Sequence, residues 1–355
     1  MTQSKPAVVV VGAGTAGAMT ALLLARAGLN VQIISRQRQT RSAVGETLSP
    51  EGRSILAHAG LWERLPYGVA IPCPAVISAW DRPDPICRSF ITNPYGCAWH
   101  IDRTEFDNWL LSEAAIAGAG VVTGTLIATR CVSSQWVFNV RQPDDGLYSG
   151  NADFLVVATG QGGYASKLGV RERIDSLCLI GGLSEPTNSG GSELVVEAVP
   201  DGWWYSAPMI GGRMFAGWIT DAKIIAGKRY REAFEVALAQ APLTAARLAN
   251  SPGTSCVGVA SSAMTPCAGE GWIAVGDAAL ARDPLSGEGL AYALRSAADG
   301  VRTILSALQG DLFAWQAASE RGAAALARYQ HRRVSAYKMA LDRWPAGPFW
   351  ARRLN

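Results

Sequence analysis

Hydrophobic positions open the chain in runs without polar alternation. Ala7–Val11 is a β-branched run, followed by the glycine turn Gly12-Ala13-Gly14-Thr15-Ala16-Gly17 and the apolar stretch MTALLLARAG. A second run at 31–34 ends in Ser35-Arg36. Strand, glycine turn, helix and strand in this order predict a βαβ unit, and unalternated runs are those of parallel strands covered on both faces. The apolar stretch 16–29 is short and contains Arg26, so it reads as a buried helix and not a membrane span.

Downstream, 51–65 has a helical pattern, whereas 66–96, rich in Pro, Asp and aromatics, reads as irregular or short-stranded. A strand at Trp99 leads into a helix with Asp102 or Thr104 as its N-cap. Further strands are predicted at 121–129, 136–141 and 154–158. Between 169 and 256, short apolar segments at 177–180, 193–199, 203–208 and 213–219 are separated by Gly, Pro and Asn, which predicts an antiparallel sheet. An alanine-rich helix is expected at 230–248. A buried strand at 272–275 runs into GDAALARDPLSGEGL and a long helix, and the arginine-rich remainder reads as helical.

Composition narrows the class. The 355 residues are 49% hydrophobic and 17% charged, which excludes a largely disordered chain, and a net charge of +3 is too small to imply nucleic acid. Seven cysteines without a CxxC pair, beside three histidines, leave little for a metal site and read as reduced thiols. The first apolar run enters a glycine turn and not a cleavage site. These features predict a cytoplasmic protein with no metal and no transmembrane segment. Twelve tryptophans suit either a planar ligand or a large aromatic core.

The glycine turn carries the first chemistry. Gly12 permits a tight turn, Gly14 lets backbone approach a pyrophosphate and Gly17 allows close helix–strand packing. The free N–H groups of Thr15, Ala16 and Gly17 at the helix start then face the phosphates. The alternative is a purely structural turn. The second strand usually ends in a carboxylate for the ribose. Here Ser35 stands in its place, which shifts weight to Arg36 and the rest of the site. A second motif, Gly276-Asp277 followed by Asp283-Pro284-Leu285-Ser286-Gly287-Glu288-Gly289-Leu290, places a carboxylate for polyol hydroxyls ahead of a helix-initiating turn with exposed N–H groups.

Together the two motifs resemble the flavoprotein superfamily of aromatic hydroxylases and flavin-dependent halogenases. The resemblance implies a glutathione-reductase-type FAD-binding Rossmann domain of α/β class, an antiparallel-sheet substrate domain and a helical C-terminal tail. It also implies that Gly45-Glu46-Thr47 lies along the flavin, that Arg103 reaches the pyrophosphate or ribityl chain, and that Thr159-Gly160 replaces the Asp-Gly pair of the hydroxylases. Loss of that Asp leaves the electron source open between NAD(P)H and a separate flavin reductase. Halogenases of this group need a lysine some thirty residues after the GE turn, but no lysine occurs between Lys5 and Lys167. Their GWxWxIP strand is replaced by Gly202-Trp203-Trp204-Tyr205-Ser206-Ala207-Pro208.

A narrower resemblance rests on NPYG with WHIDR near residue 100, on the GWWYSAP strand and on the Trp344, Phe349 and Trp350 tail. These segments look like the flavoproteins that mature tryptophan-derived quinone cofactors of amino-acid oxidases. Candidate catalytic residues are His100, as general base or as a buried hydrogen-bonded histidine, with Trp204, Tyr205 and Pro284. Trp80, Tyr95, Trp99, Trp204 and Pro284 are candidates for the cavity wall. The tail's arginines and aromatics suit either an acidic or membrane partner, or packing on the body.

The expected organisation is an FAD domain at 1–65, 98–168 and 256–310, a substrate domain at 66–97 and 169–255, and a helical segment at 311–355. The resemblance implies a monooxygenase that hydroxylates an electron-rich aromatic, indole- or tryptophan-like, free or peptidyl, through a flavin hydroperoxide. The alternatives are a flavin oxidase or reductase of the same fold, a protein-docking maturation partner of a quinone-cofactor oxidase, or a halogenase.

Overall fold

The β-branched opening run has no polar face, and it becomes the central strand of a six-stranded sheet. The computed structural model describes residues 6–36, 45–162, 164, 167–188, 190–226, 230–345 and 347–354. Ala7–Val11 lies between Asn30–Ser35 and Phe154–Val157 in parallel register. Gly120–Thr123 extends one edge, and Trp272–Ala274 with the short hairpin strand Ala268–Gly269 completes the other. Helices Thr15–Arg26, Arg103–Ile116 and Gly289–Leu308 share one core with Val8, Val10 and Ile33 of the sheet. Val9, Val11 and Leu155 point the other way. They pack on the antiparallel sheet Thr125–Val132, Gln135–Arg141 and Leu147–Ala152 through Trp136, Phe138 and Val140.

The second large layer has the strand order Ser255–Gly258, Leu177–Ser184, Met214–Asp221, Gly202–Pro208, Leu194–Val199, Ala75–Ala79 and Ile86–Ser89. All its pairings are antiparallel except one, Leu194–Val199 with Ala75–Ala79. A three-stranded antiparallel sheet (Glu46–Leu48, Ala98–Ile101, Ala70–Cys73) bridges to the first layer. The mixed α/β fold, its mostly parallel first layer and its C-terminal helices agree with the expected class.

Several expected elements divide where backbone chemistry forces a break. The helix expected at 51–65 ends at His58, and Gly60 turns the chain at φ +65° before the short turn Trp62–Arg64. The strand expected at 121–129 splits at Gly124, where a Cβ would come within 2.5 Å of the Arg141 carbonyl oxygen. The two halves join different sheets. The helix expected at 230–248 divides into Tyr230–Ala239 and Pro242–Ala245, because Pro242 cannot donate within a continuous helix.

The tail packs inward. Ala314–Leu341 and Pro348–Ala351 bring Tyr337, Phe349 and Trp350, all 0% exposed, onto the second sheet beside Trp80 and Trp203. The Trp350 indole donates to the Val199 carbonyl at 3.0 Å, and its ring lies 5.3 Å from that of Trp80. These aromatics are therefore core, not a docking surface. Among the described residues, no helix is long and apolar enough to cross a membrane. Removing a fully buried indole leaves a cavity that cannot collapse, so Trp350→Ala is expected to lower unfolding free energy by about 3–5 kcal/mol, measured by urea titration.

Candidate active site

Gly14 starts the helix Thr15–Arg26 without any capping side chain, and a Cβ built on it meets nothing within 4 Å. Open space therefore faces the first N–H groups of an uncapped helix, which suits an anionic phosphate. Gly12, at φ +107°, serves packing instead: a Cβ there would lie 2.3 Å from the Ala158 carbonyl oxygen. Its N–H donates to Ile34 at 2.9 Å, which places Ser35 and exposed Arg36 beside the turn.

The downstream motif comes to the same place. Gly276 has φ +60°, and a Cβ on it would lie 2.7 Å from that of Ala16. Its N–H is held by the Ser296 hydroxyl at 2.8 Å. Arg171 donates to the carbonyls of Asp277 at 2.7 Å and Ala278 at 3.1 Å. The turn Pro284–Ser286 follows, with the Asp283 carboxylate accepting from the Leu285 N–H at 2.9 Å and Gly287 in the left-handed region. Neither Gly287 nor Gly289 would crowd a Cβ, so both present backbone to open space, whereas Leu290 is buried in the core.

A charged chain links the glycine turn to the GET segment. Thr15 donates through its hydroxyl to Asp107 at 2.6 Å. Arg103 donates to the same carboxylate at 3.3 Å and pairs through its other terminal nitrogen with Glu46. Arg103 sits at the start of its helix because Asp102 caps it, accepting from Thr104 and Glu105. Among the described residues, neither the buried Arg103 Nε nor the buried Thr159 hydroxyl has a hydrogen-bond partner. Gly160, at φ +62°, adjoins open space. Orphaned polar atoms beside an uncapped helix and open glycine backbone fit a cofactor with a pyrophosphate and a polyol chain.

Gly45 lies close to Phe215, since a Cβ on it would be 3.2 Å from that ring's Cβ. The Tyr205 ring lies tilted 5.3 Å from that of Phe215, and desolvation, with the Glu46 charge adding, raises its phenol pKa. Trp203 and Tyr205 therefore share the face that looks toward Glu46.

Two catalytic candidates lie elsewhere. Successive strand residues point to opposite faces, so Trp204 lies on the far side, 0% exposed, against Trp218 and Phe234. His100, 2% exposed, is engaged at both ring nitrogens: Nδ1 with the Thr47 hydroxyl at 3.0 Å and Nε2 with the Ser192 carbonyl at 2.9 Å. It is a buried, hydrogen-bonded histidine that anchors Thr47. Of the proposed wall residues, Tyr95 is exposed and Trp99 packs on Trp62, while Trp80 joins the Trp203 cluster. Sequence reasoning missed Asp107, whose only local signal is its place one helical turn after Arg103. It also missed Arg171 and Tyr337, which carry no local signal.

An anion-ready glycine turn, a second glycine turn packed on it and a charged chain between them make a site of the kind that nucleotide-cofactor enzymes carry. Residues 5–170 match the family described as an FAD binding domain, FAD is the cofactor, and the protein is an FAD-dependent oxidoreductase of halogenase-like fold. The chain is 27% identical to LodB of Marinomonas mediterranea, described as an FAD-dependent oxidoreductase, over 97% of its own length and 96% of LodB. It superimposes on CmlS, a flavin-dependent halogenase, with a TM-score of 0.90 and 25% identity, covering 99% of this chain and 68% of CmlS. It also superimposes on QhpG, a peptidyl tryptophan dihydroxylase essential for tryptophylquinone cofactor biogenesis. There the TM-score is 0.80 with 28% identity, over 99% of this chain and 79% of QhpG.

Asp107→Leu strips the acceptor from Thr15 and one partner from Arg103, so FAD affinity should fall about tenfold or more, read by fluorescence titration of apoprotein. Trp204→Phe, on the far face, should leave that affinity unchanged. Burial lowers the pKa of His100, with the Arg247 charge adding and the Ser192 bond opposing. The folded chain thus binds fewer protons there than the unfolded one, and stability should fall as pH drops below about 6.5. Urea midpoints measured on either side of that pH should show the loss, and His100→Gln should flatten it.

Proposed function

We propose that this protein is a monooxygenase that hydroxylates an electron-rich aromatic ring, indole- or tryptophan-like and either free or peptidyl. The observation that carries this reading is the lysine-free stretch between Lys5 and Lys167. It leaves the halogenase-like fold without the ammonium that its halogenating relatives are expected to use. Similarity to LodB and to QhpG along nearly the whole chain supports the same direction.

When bound, the reduced flavin activates dioxygen so that one oxygen atom can pass to an electron-rich ring. The chain's own part is placement and exclusion of water. Thr15, Asp107, Arg103 and Glu46 hold the cofactor groove in one hydrogen-bonded arrangement. Tyr205 and Leu285, only partly buried, rim the aromatic cluster of Trp80 and Trp203. We assign them, with Pro284, to the substrate face. Among these residues none is a nucleophile, and ring hydroxylation requires none. Electrons come from NAD(P)H or from a partner reductase, and we place the protein in the cytoplasm, where seven free thiols stay reduced.

The test supplies FAD-loaded protein with NADH, NADPH or a flavin reductase, labelled dioxygen, excess bromide and a tryptophan-bearing peptide or free indole. The expected result is a product carrying labelled oxygen and no bromine. Bromination would reverse the reading. Hydrogen peroxide formed in step with substrate oxidation, without label in the product, would favour the oxidase alternative.

A further inference from the structure

Behind the turn Pro284–Ser286, between the helices Gly289–Leu308 and Ala314–Leu341, lies a cavity of about 390 Å³. Apart from Leu285 at its rim, its lining residues have no part in the function proposed above. One wall is small-chained, with Ala318, Gly322 and Ala325 at helical three-and-four spacing and the Cys267 sulfur lying over Gly322. The opposite wall carries Tyr292, with the Arg282 guanidinium 4.0 Å over its ring. Six arginines but only three carboxylates line the space. Each of those carboxylates is already committed. Glu288 binds both Arg282 and Arg332, Asp299 pairs with Arg302, and Asp283 accepts from Leu285 and Tyr337.

Two of the arginines are buried and incompletely paired. The Arg333 side chain is 4% exposed, and its nearest carboxylate oxygens, on Asp175 and Asp283, lie at 3.6 and 3.8 Å, beyond hydrogen-bond reach. Arg282 is 8% exposed and uses one terminal nitrogen on Glu288. Among the described residues, the Nε atoms of both have no hydrogen-bond partner. A buried guanidinium N–H left unpaired is costly, and its planar donors match a carboxylate. The volume falls within the range of small-molecule sites.

We propose that this interhelical cavity binds a small aromatic carboxylate, its ring between the alanine face and Tyr292 and its carboxylate on Arg282 and Arg333. Binding there does not depend on which reaction the flavin performs. A phosphate monoester would satisfy the arginines, but it leaves the apolar side of the cavity at Ala325 and Tyr292 without a partner.

The experiment titrates the FAD-loaded protein with indole-3-acetate and, separately, its neutral isostere indole-3-acetamide, followed by isothermal calorimetry. The acid is expected to bind and the amide to bind at least about tenfold more weakly. Arg282→Met should weaken the acid by about tenfold or more. Ala325→Phe, which fills the apolar side of the cavity, should abolish binding while flavin content and circular dichroism stay as in the parent. Equal affinity for acid and amide would overturn the proposal, as would no saturable binding of the acid at millimolar concentration. Undiminished acid binding in a folded Ala325→Phe protein would also overturn it, because the acid would then occupy another site.

Discussion

Close approach of Gly276 to Ala16 is the contact on which the rest of the molecule depends. A Cβ at either glycine of the pair Gly12 and Gly276 would collide, with the Ala158 backbone in one case and with the Ala16 side chain in the other. Backbone rather than side chain therefore lines the seam where the two motifs meet, and forcing volume into such a seam displaces both. Ser296 and Arg171 hold the second turn from behind by its N–H and its carbonyls. The turn's position is thus set by hydrogen bonds that remain whether or not a ligand is present.

The charged chain from Thr15 to Glu46 adds a second constraint of a different kind. Burying Asp107 and most of Arg103 is unfavourable unless each keeps its partner, so the three elements that supply them move as a unit. The second sheet is tied to the same region through Tyr337. Its hydroxyl accepts from the Trp203 indole at 3.1 Å and donates to Asp283 at 2.7 Å. One phenol on the tail helix thereby joins the aromatic strand to the turn at Pro284. The tail packs over the second sheet, and its arginines Arg352 and Arg353 are anchored on Asp221.

Much of this was legible along the chain, because the βαβ opening and the Gly-Asp strand end are local patterns with a fixed mechanical purpose. Asp102 as a helix cap, the buried strand at 272–274 and the helical tail were readable for the same reason. The breaks at Gly60, Gly124 and Pro242 were written in the sequence too, but apolar periodicity continued across them and masked the punctuation. Trp204 was misjudged because a tryptophan pair on a strand looks alike from either side. Which member faces Glu46 depends on the register with Met214–Asp221. His100 was ambiguous for a related reason. A histidine beside the flavin elements differs from a base only through the partners of its two nitrogens, and Ser192 comes from a distant segment.

Sequence alone predicted a dinucleotide turn at the amino end and a second sheet after it, and it shows a lysine-free stretch between Lys5 and Lys167. These are matters of residue type and short-range spacing. Only the tertiary structure decided that Trp203 and Tyr205, not Trp204, face Glu46, that the tail's aromatics are core, and that an arginine-lined space opens between two helices. Each of those outcomes depends on pairing between residues far apart in the chain, and side-chain direction, burial and unmet hydrogen bonds exist only once that pairing is made.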